Sequence, residues 1–386
     1  MGELPDLTGR TILQVAPELS AGGVERTVLE VTEAIVEAGG RALVASKGGR
    51  LEPELARLGG ELLRMDAKSR NPVTIKLNEG KLRQIIREQG VSLVHARSRA
   101  PAWSAWAAAK AEGVPFVTTY HGAYSGTSGL KKAYNSVMAK GDLVIANSQW
   151  IAAHVAEVHE IDPARIVTIP RGVDLEAFAP EAVAPARIEA LRQAWGLEGD
   201  ARLVLLLPGR LTSWKGQGLA LQALGLLAPE ERAGLVLILA GDAQGRDDYV
   251  SELEHQIAAL GLTGSARIVP HVTDMPAAYL AAGLVLAPST RPEAFGRVAA
   301  EASAMARPVI VSDHGGARET VVEYVTGTRA EPGSAAALAG AIRAMLSLGP
   351  VARASMGREG RAHVASHFSK RGLQAATLGV YKRLLE

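Results

Sequence analysis

The stretch TILQVAPELSAGGVERTVLEVTEAIVEAGGRALVAS, residues 11–46, decides the architecture. TILQVAP is a short β-rich run and GVERTVLEVTEAIVEAGG has the spacing of an amphipathic helix. RALVAS (41–46) then begins a second strand, so the three pieces form one βαβ unit. VSLVHA, PFVTTY, DLVIANS and RIVTIP continue the alternation and build one doubly wound parallel domain. The stretch DLEAFAPEAVAPA (174–186), rich in Ala, Pro and Glu, reads as a linker. Beyond it RLVLLLPGR (202–210), LVLILAGD, ARIVP, LVLAPS and PVIVSD restart the pattern, with helices expected around Tyr249–Leu262, Met275–Gly283 and Ala294–Ala306. The expected organisation is a first domain over 1–180 and a second over 181–368.

Composition agrees with two α/β domains. The chain has 386 residues, more than one hydrophobic core usually serves, with 47% hydrophobic and 21% charged residues. It contains no cysteine, which excludes disulfides, thiol catalysis and cysteine-ligated metals. The opening MGELPDLTGR is acidic and polar and is not expected to be a secretory signal. PAAYLAAGLVLAPS (276–289) is too short to span a bilayer, so any membrane contact is expected to be peripheral. Net charge is only +2, but Arg64, Lys68, Arg70, Lys76, Lys81, Arg83 and Arg87 meet only Asp66 and Glu79 within their own stretch, and Lys131, Lys132 and Lys140 follow. This is either an anion-facing surface or a solvated basic face.

Ligands of open parallel sheets bind at the carboxyl ends of the strands, and the glycines and charges collect there. In SAGGVER (20–26), Gly22 and Gly23 stand before the first helix, where free amides face an anion or the chain simply turns tightly. The stretch lacks the G-x-G-x-x-G dinucleotide fingerprint. In PGRLTSWKGQG (208–218), Arg210 and Lys215 suit a diphosphate, with Gly209 relieving crowding; surface charge is the plainer reading. The Lys-Gly order is the reverse of a P-loop. In RPEAFGRVAAE (291–301), Glu293 precedes the helix that Phe295 and Gly296 begin, and Glu301 lies about two turns inside it. A nucleotide sugar resolves this spacing: Glu293 accepts from sugar hydroxyls, the amides near Gly296 and Arg297 meet phosphate, and Glu301 accepts from ribose.

GGVER, TYHG, RGVD, GRLTSWKG and RPEAFGRVAAE, in this order over nearly the whole chain, resemble a retaining glycosyltransferase of family 4, with the GT-B fold of two Rossmann-like domains facing across a cleft. The resemblance implies a nucleotide-sugar donor on the second domain and an acceptor on the first. It also implies retention at the anomeric carbon with no metal or other cofactor, the departing phosphate oxygen serving as base. Arg210 and Lys215 then hold the diphosphate and carry catalysis, and Glu293 and Glu301 hold sugar and ribose. Glu-Ala-Phe-Gly stands where the family has Glu-Gly-Phe-Gly, so Ala294 is a departure, and Arg297 replaces a commonly apolar residue. His121 of TYHG matches a histidine beside the donor sugar, while His271 and Val272 match a loop whose backbone meets the base. Glu25, Arg26, His95 and Arg171 are expected on the acceptor side. The closing stretch, about 369–386, is expected to pack back on the first domain.

By family frequency the donor is a UDP-sugar. The acceptor is expected to be a glycan or glycolipid of the bacterial envelope, such as lipopolysaccharide core. The expected location is the cytoplasm, with a peripheral contact on an anionic inner membrane face; no nucleic acid is expected. The alternatives are a same-fold enzyme such as a sugar-nucleotide epimerase or phosphorylase, and a catalytically inactive nucleotide-sugar-binding protein.

Overall fold

The computed structural model describes residues 3–20, 22–124 and 129–386, so Ala21 of the SAGGVER loop lies outside it. The chain forms two compact units, Met1–Gly172 with Lys370–Glu386, and Val173–Ser369.

In the first unit the strands are β1 (Thr11–Val15), β2 (Arg41–Ser46), β3 (Glu61–Arg64), β4 (Leu93–Ala96), β5 (Phe116–Tyr120), β6 (Leu143–Ala146) and β7 (Ile166–Thr168). They lie in the order β3-β2-β1-β4-β5-β6-β7, all parallel. The sheet winds outward in both directions from the β1/β4 junction. The central strands are buried on both faces, which is why ILQV and LVHA read as nearly unbroken apolar runs. Helix Gly23–Glu37 buries Val31, Ala34 and Ile35, one stripe at helical spacing, against Leu7, Ile12 and Ala42, and sets Val28 against Leu19 and Val44. The closing helix Lys370–Leu385 adds Leu373, Leu378 and Tyr381 to the same core, and Arg371 pairs with Glu37 at 2.6 Å.

The second unit contains β8 (Leu203–Pro208), β9 (Leu235–Ala240), β10 (Ala266–Val269), β11 (Leu284–Ala287), β12 (Val309–Ser312) and β13 (Gly327–Ala330). Their order, β10-β9-β8-β11-β12-β13, repeats the topology of the first sheet, with the winding direction reversing between β8 and β11. One apolar layer packs on each face. Val204, Val236, Val285 and Val309 meet Tyr279 and Met305, while Leu205, Leu237, Leu286 and Ile310 meet Leu221, Leu253 and Ile342.

The division falls at Gly172 rather than at 180. The Val173 amide donates to the Phe368 carbonyl at 2.7 Å, and Leu175 and Phe178 pack on a cluster containing Phe295 and Phe368. The stretch expected to be a linker is therefore built into the second unit. Two strands also escaped the sequence reading, β3 and β13, and both are sheet edges. An edge strand needs no continuous apolar run, and GTRA and ELLR have none.

The basic stretch of the first unit draws most of its counter-charges from elsewhere in the chain. Arg64 pairs with Glu52, Lys68 with Glu18 at 2.9 Å, Lys76 with Glu79 at 2.8 Å, and Arg83 and Arg87 with Glu112 at 2.8 and 3.7 Å. Among the described residues no single helix is long and apolar enough to cross a membrane. One apolar pair, Ala335–Ser347 with Gly349–His367, is bent by 106°, and its first helix buries Leu338, Ile342 and Met345 in the second core.

Candidate functional site

The reversal point of a doubly wound sheet opens a crevice at the strand ends, and in the second unit charged residues converge there. From the end of β8 the chain passes Gly209 and Arg210 to Lys215; from the end of β11 it passes Ser289 to Glu293. Lys215 Nζ meets Glu293 Oε1 at 2.8 Å, with the two side chains only 15% and 12% exposed. The Ser289 hydroxyl donates to the same carboxylate oxygen, and the Lys215 ammonium stands 4.5 Å from the Trp214 ring centroid. Gly316 anchors this loop from below, its amide donating to the Glu293 carbonyl at 2.7 Å. Arg210 is exposed, and its side chain has no hydrogen bond or ion pair among the described residues, which leaves its five donors available to a ligand.

Helix Arg297–Ala304 begins at Gly296, whose φ of 97° is left-handed. A Cβ there would sit 2.6 Å from Ala317 Cα, so only glycine fits. The first-turn amides of this helix, uncapped by any side chain among the described residues, lie directly after the Glu293 loop, and free amides at a helix start favour a nearby anion. Glu301 is nearly buried and accepts from Tyr279 Oη at 3.0 Å and from Arg297 Nε at 2.7 Å. Burial, with Glu301 adding to it, holds the Tyr279 phenol well above its usual value, so it stays a donor. The pairing with Glu301 gives Arg297 a defined partner one helical turn away.

Phe295, in the RPEAFGRVAAE stretch expected to meet the donor, turns its ring into the core against Phe368, 5.4 Å centroid to centroid and edge-on. Only its backbone and that of Ala294 are left for a ligand. Val272 is likewise buried, whereas His271 beside it is exposed. Sequence reading missed Tyr279, Ser289, Trp214 and the pair Gly315-Gly316. The glycine pair after PVIVSD carried a signal of the kind used for Gly22 and Gly23; Tyr279 had none, since its phenol is singled out only by the fold.

In the first unit Gly22 precedes helix Gly23–Glu37, and Gly23 lies against Arg171, since a Cβ there would run into the guanidinium. Arg171 Nη2 also reaches His121 Nδ1 at 3.2 Å. A guanidinium only donates, so Nδ1 accepts and the His121 proton resides on Nε2, a buried atom with no partner among the described residues. Burial, reinforced by Arg171 and Arg97, holds this imidazole well below its usual value and keeps it neutral. His121, Arg171, Arg97, Thr119 and Asn147 share the wall of a cavity of about 10 Å³. Arg97, missed by sequence, is fully buried and donates to Gln14 through Nε at 2.9 Å.

Three acceptor-side candidates look different in the fold. His95 is fully buried, with Nδ1 2.6 Å from Tyr381 Oη and Nε2 2.7 Å from Thr119 Oγ1. Nδ1 ties β4 to the closing helix and Nε2 ties it to β5, so both nitrogens are committed within the core and none is left for an acceptor. Arg26 is paired with Glu54 at 2.5 Å on the neighbouring helix. Glu25 is half-buried, and burial, with Glu18 nearby, raises its carboxyl.

The comparisons extend along this whole arrangement. Residues 21–177 match Glycosyltransferase Family 4, and residues 188–363 match Glycosyl transferases group 1. A D-inositol 3-phosphate glycosyltransferase of Xylanimonas cellulosilytica is 32% identical over 270 residues, 66% of this chain and 63% of that protein, less than two thirds of its length. A glycosyltransferase structure from Rickettsia africae superposes with a TM-score of 0.89 at 34% identity, covering 98% of this chain and 99% of that one. HepE from Anabaena, solved with UDP, superposes at 0.82 with 25% identity, over 97% of this chain and 100% of its own, and has also been solved with UDP-glucose. With its repeated reversal-point topology, its Gly296-headed helix and matches over both units, the chain belongs to glycosyltransferase family 4 and has the GT-B fold.

Proposed function

We propose that the protein is a retaining, metal-independent glycosyltransferase that moves a sugar from a UDP-sugar to an acceptor hydroxyl in the synthesis of an envelope glycan such as lipopolysaccharide core. The observation that carries this reading is the Lys215–Glu293 pair at the β8/β11 reversal point, next to the uncapped helix headed by Gly296. A donor diphosphate seated there takes the Lys215 ammonium from Glu293 and meets the helix amides, and the freed Glu293 carboxylate accepts from sugar hydroxyls. Arg210, exposed beside them, adds a bidentate guanidinium. The transition state places charge on the leaving diphosphate, and these donors are fixed in advance where that charge develops. Glu301, steadied by Tyr279 and Arg297, accepts from the ribose. The departing phosphate oxygen takes the acceptor proton on the face it leaves, which gives retention.

The acceptor belongs with the first unit. His121, neutral with its N–H on Nε2, and the guanidiniums of Arg171 and Arg97 favour an anionic acceptor. The curated relative acts on a phosphorylated cyclitol by its name, so a small phosphorylated polyol is the second reading. An inactive binding protein is disfavoured because Arg210, Lys215, Glu293 and Glu301 are all present.

The test is UDP release from UDP-glucose, UDP-galactose and UDP-N-acetylglucosamine, offered with a lipooligosaccharide core or inositol phosphate, followed by NMR of the product anomer. Turnover that survives EDTA and keeps the donor's anomeric configuration supports the proposal. Inversion, or activity abolished by EDTA and restored by a divalent metal, overturns the mechanism. Donor binding with no UDP release on any acceptor returns the protein to the binding class.

A further inference from the structure

The second unit has another cavity, at the edge of the sheet where strands begin. Its volume is about 380 Å³, and it opens between the segment Met305–Pro308 and the start of helix Gly349–His367. Leu203 opens β8, while Gly283 and Pro308 immediately precede β11 and β12, so this edge is opposite the one that carries Lys215 and Glu293. Three arginines reach its wall, Arg307, Arg353 and Arg358, and no residue lining it is acidic.

Each arginine adds something different. Arg307 Nε is buried with no hydrogen-bond partner among the described residues, and burial is the one influence resolved on its charge, with no carboxylate among them offsetting it. An arginine without a counter-charge is costly to bury, and an anion in the cavity removes that cost. Arg353 Nη1 donates to the carbonyls of Met345 and Leu346 at 3.1 and 3.0 Å, which fixes its guanidinium in place. Arg358 is exposed and makes no ion pair among the described residues. The helix that presents Arg353 and Arg358 starts at the cavity with Pro350. It has no acidic residue in its first turn and no side-chain cap among the described residues, so its positive end adds to the same field.

We propose that this cavity is a second ligand site, for a small phosphorylated compound carrying at least two negative charges. Guanidinium forks match phosphate oxygens bidentately, and the volume lies in the range of small-molecule sites. Helix Arg297–Ala304 runs from Gly296, at the donor edge, directly into Met305–Arg307. The ligand therefore sits at the far end of the helix whose first turn faces the donor, and it binds without competing for the donor site.

Fructose 1,6-bisphosphate and glucose 1,6-bisphosphate, neither of which carries the diphosphate that Lys215 would hold, are the probes, titrated calorimetrically at low salt into wild type, Arg307→Gln, Arg358→Gln and Lys215→Ala. The expected result is binding that weakens about tenfold or more in each arginine variant, the scale of one lost charged hydrogen bond, and is unchanged in Lys215→Ala. Arg358 is on the surface, so its variant keeps the test valid if Arg307→Gln folds poorly. No binding of either probe to wild type, or binding lost in Lys215→Ala and retained in Arg358→Gln, overturns the site.

Discussion

Lys215 and Glu293 neutralise each other at 2.8 Å in a nearly buried setting, so donor binding exchanges one partner for another without exposing a bare charge. Removing the ammonium leaves Glu293 buried without its counter-ion and takes one stabilising donor from the leaving diphosphate. Lys215→Ala is expected to lower kcat/KM by about a hundredfold, measured as UDP release; near-normal turnover in the folded variant would mean that the lysine serves only Glu293. The two carboxylates differ in their surroundings and so should differ in effect. Glu301, held by Tyr279 and Arg297, is placed for the ribose, and Glu301→Ala should weaken UDP binding by about 1–3 kcal/mol in calorimetry. Glu293→Ala should leave UDP affinity nearly intact and depress transfer. Equal loss of UDP affinity in both variants contradicts this division of roles.

At the scale of elements, the turn that opens helix Arg297–Ala304 is the most constrained part of the site. Gly296→Ala places a methyl group 2.6 Å from Ala317 Cα at a φ of 97°, and the helix start must move. The variant is expected to lose about 1–3 kcal/mol of stability in the second unit and, with it, UDP affinity. Urea unfolding and UDP titration check both, and an unchanged midpoint would show that the turn relaxes freely. In the first unit, His95 clamps the closing helix to β4 through Tyr381. Burial holds this histidine well below its usual 6.5, so the unfolded chain takes up the proton first as pH falls. The stability it provides is present above about pH 6.5 and declines as pH falls below that value. His95→Gln should be less stable at pH 7, with a shallower fall in melting temperature toward pH 5 than wild type; parallel slopes would assign the acid sensitivity to other groups.

At the scale of the molecule, a peripheral contact with an anionic membrane depends on how much positive charge the fold leaves uncompensated. Ion pairs from distant acids occupy most of the basic stretch. Arg70, Lys81 and Lys131 remain exposed without an ion pair among the described residues, and Val73 and Leu77 are 68% and 62% exposed on the helix that carries Lys81. The contact we propose is therefore modest: each basic residue near an anionic surface contributes about 1 kcal/mol, screened by salt. Co-sedimentation with anionic vesicles should be seen at low salt, fade at high salt, and fall in a variant with Arg70, Lys81 and Lys131 changed to Gln; wild type that ignores these vesicles leaves only a solvated face. The sequence alone was enough to show two doubly wound domains and the strand ends where Lys215, Glu293, Gly296 and Glu301 gather. Strands buried on both faces must be continuously apolar, and loops at their ends must carry glycine and charge. Only the tertiary structure decided that His95 is a clamp, that Phe295 belongs to the core, that Tyr279 and Arg297 hold Glu301, and that the basic stretch is largely neutralised. Those outcomes depend on partners such as Tyr381, Phe368 and Glu112, brought close by packing across long separations in the chain, and no local pattern of residues records such contacts.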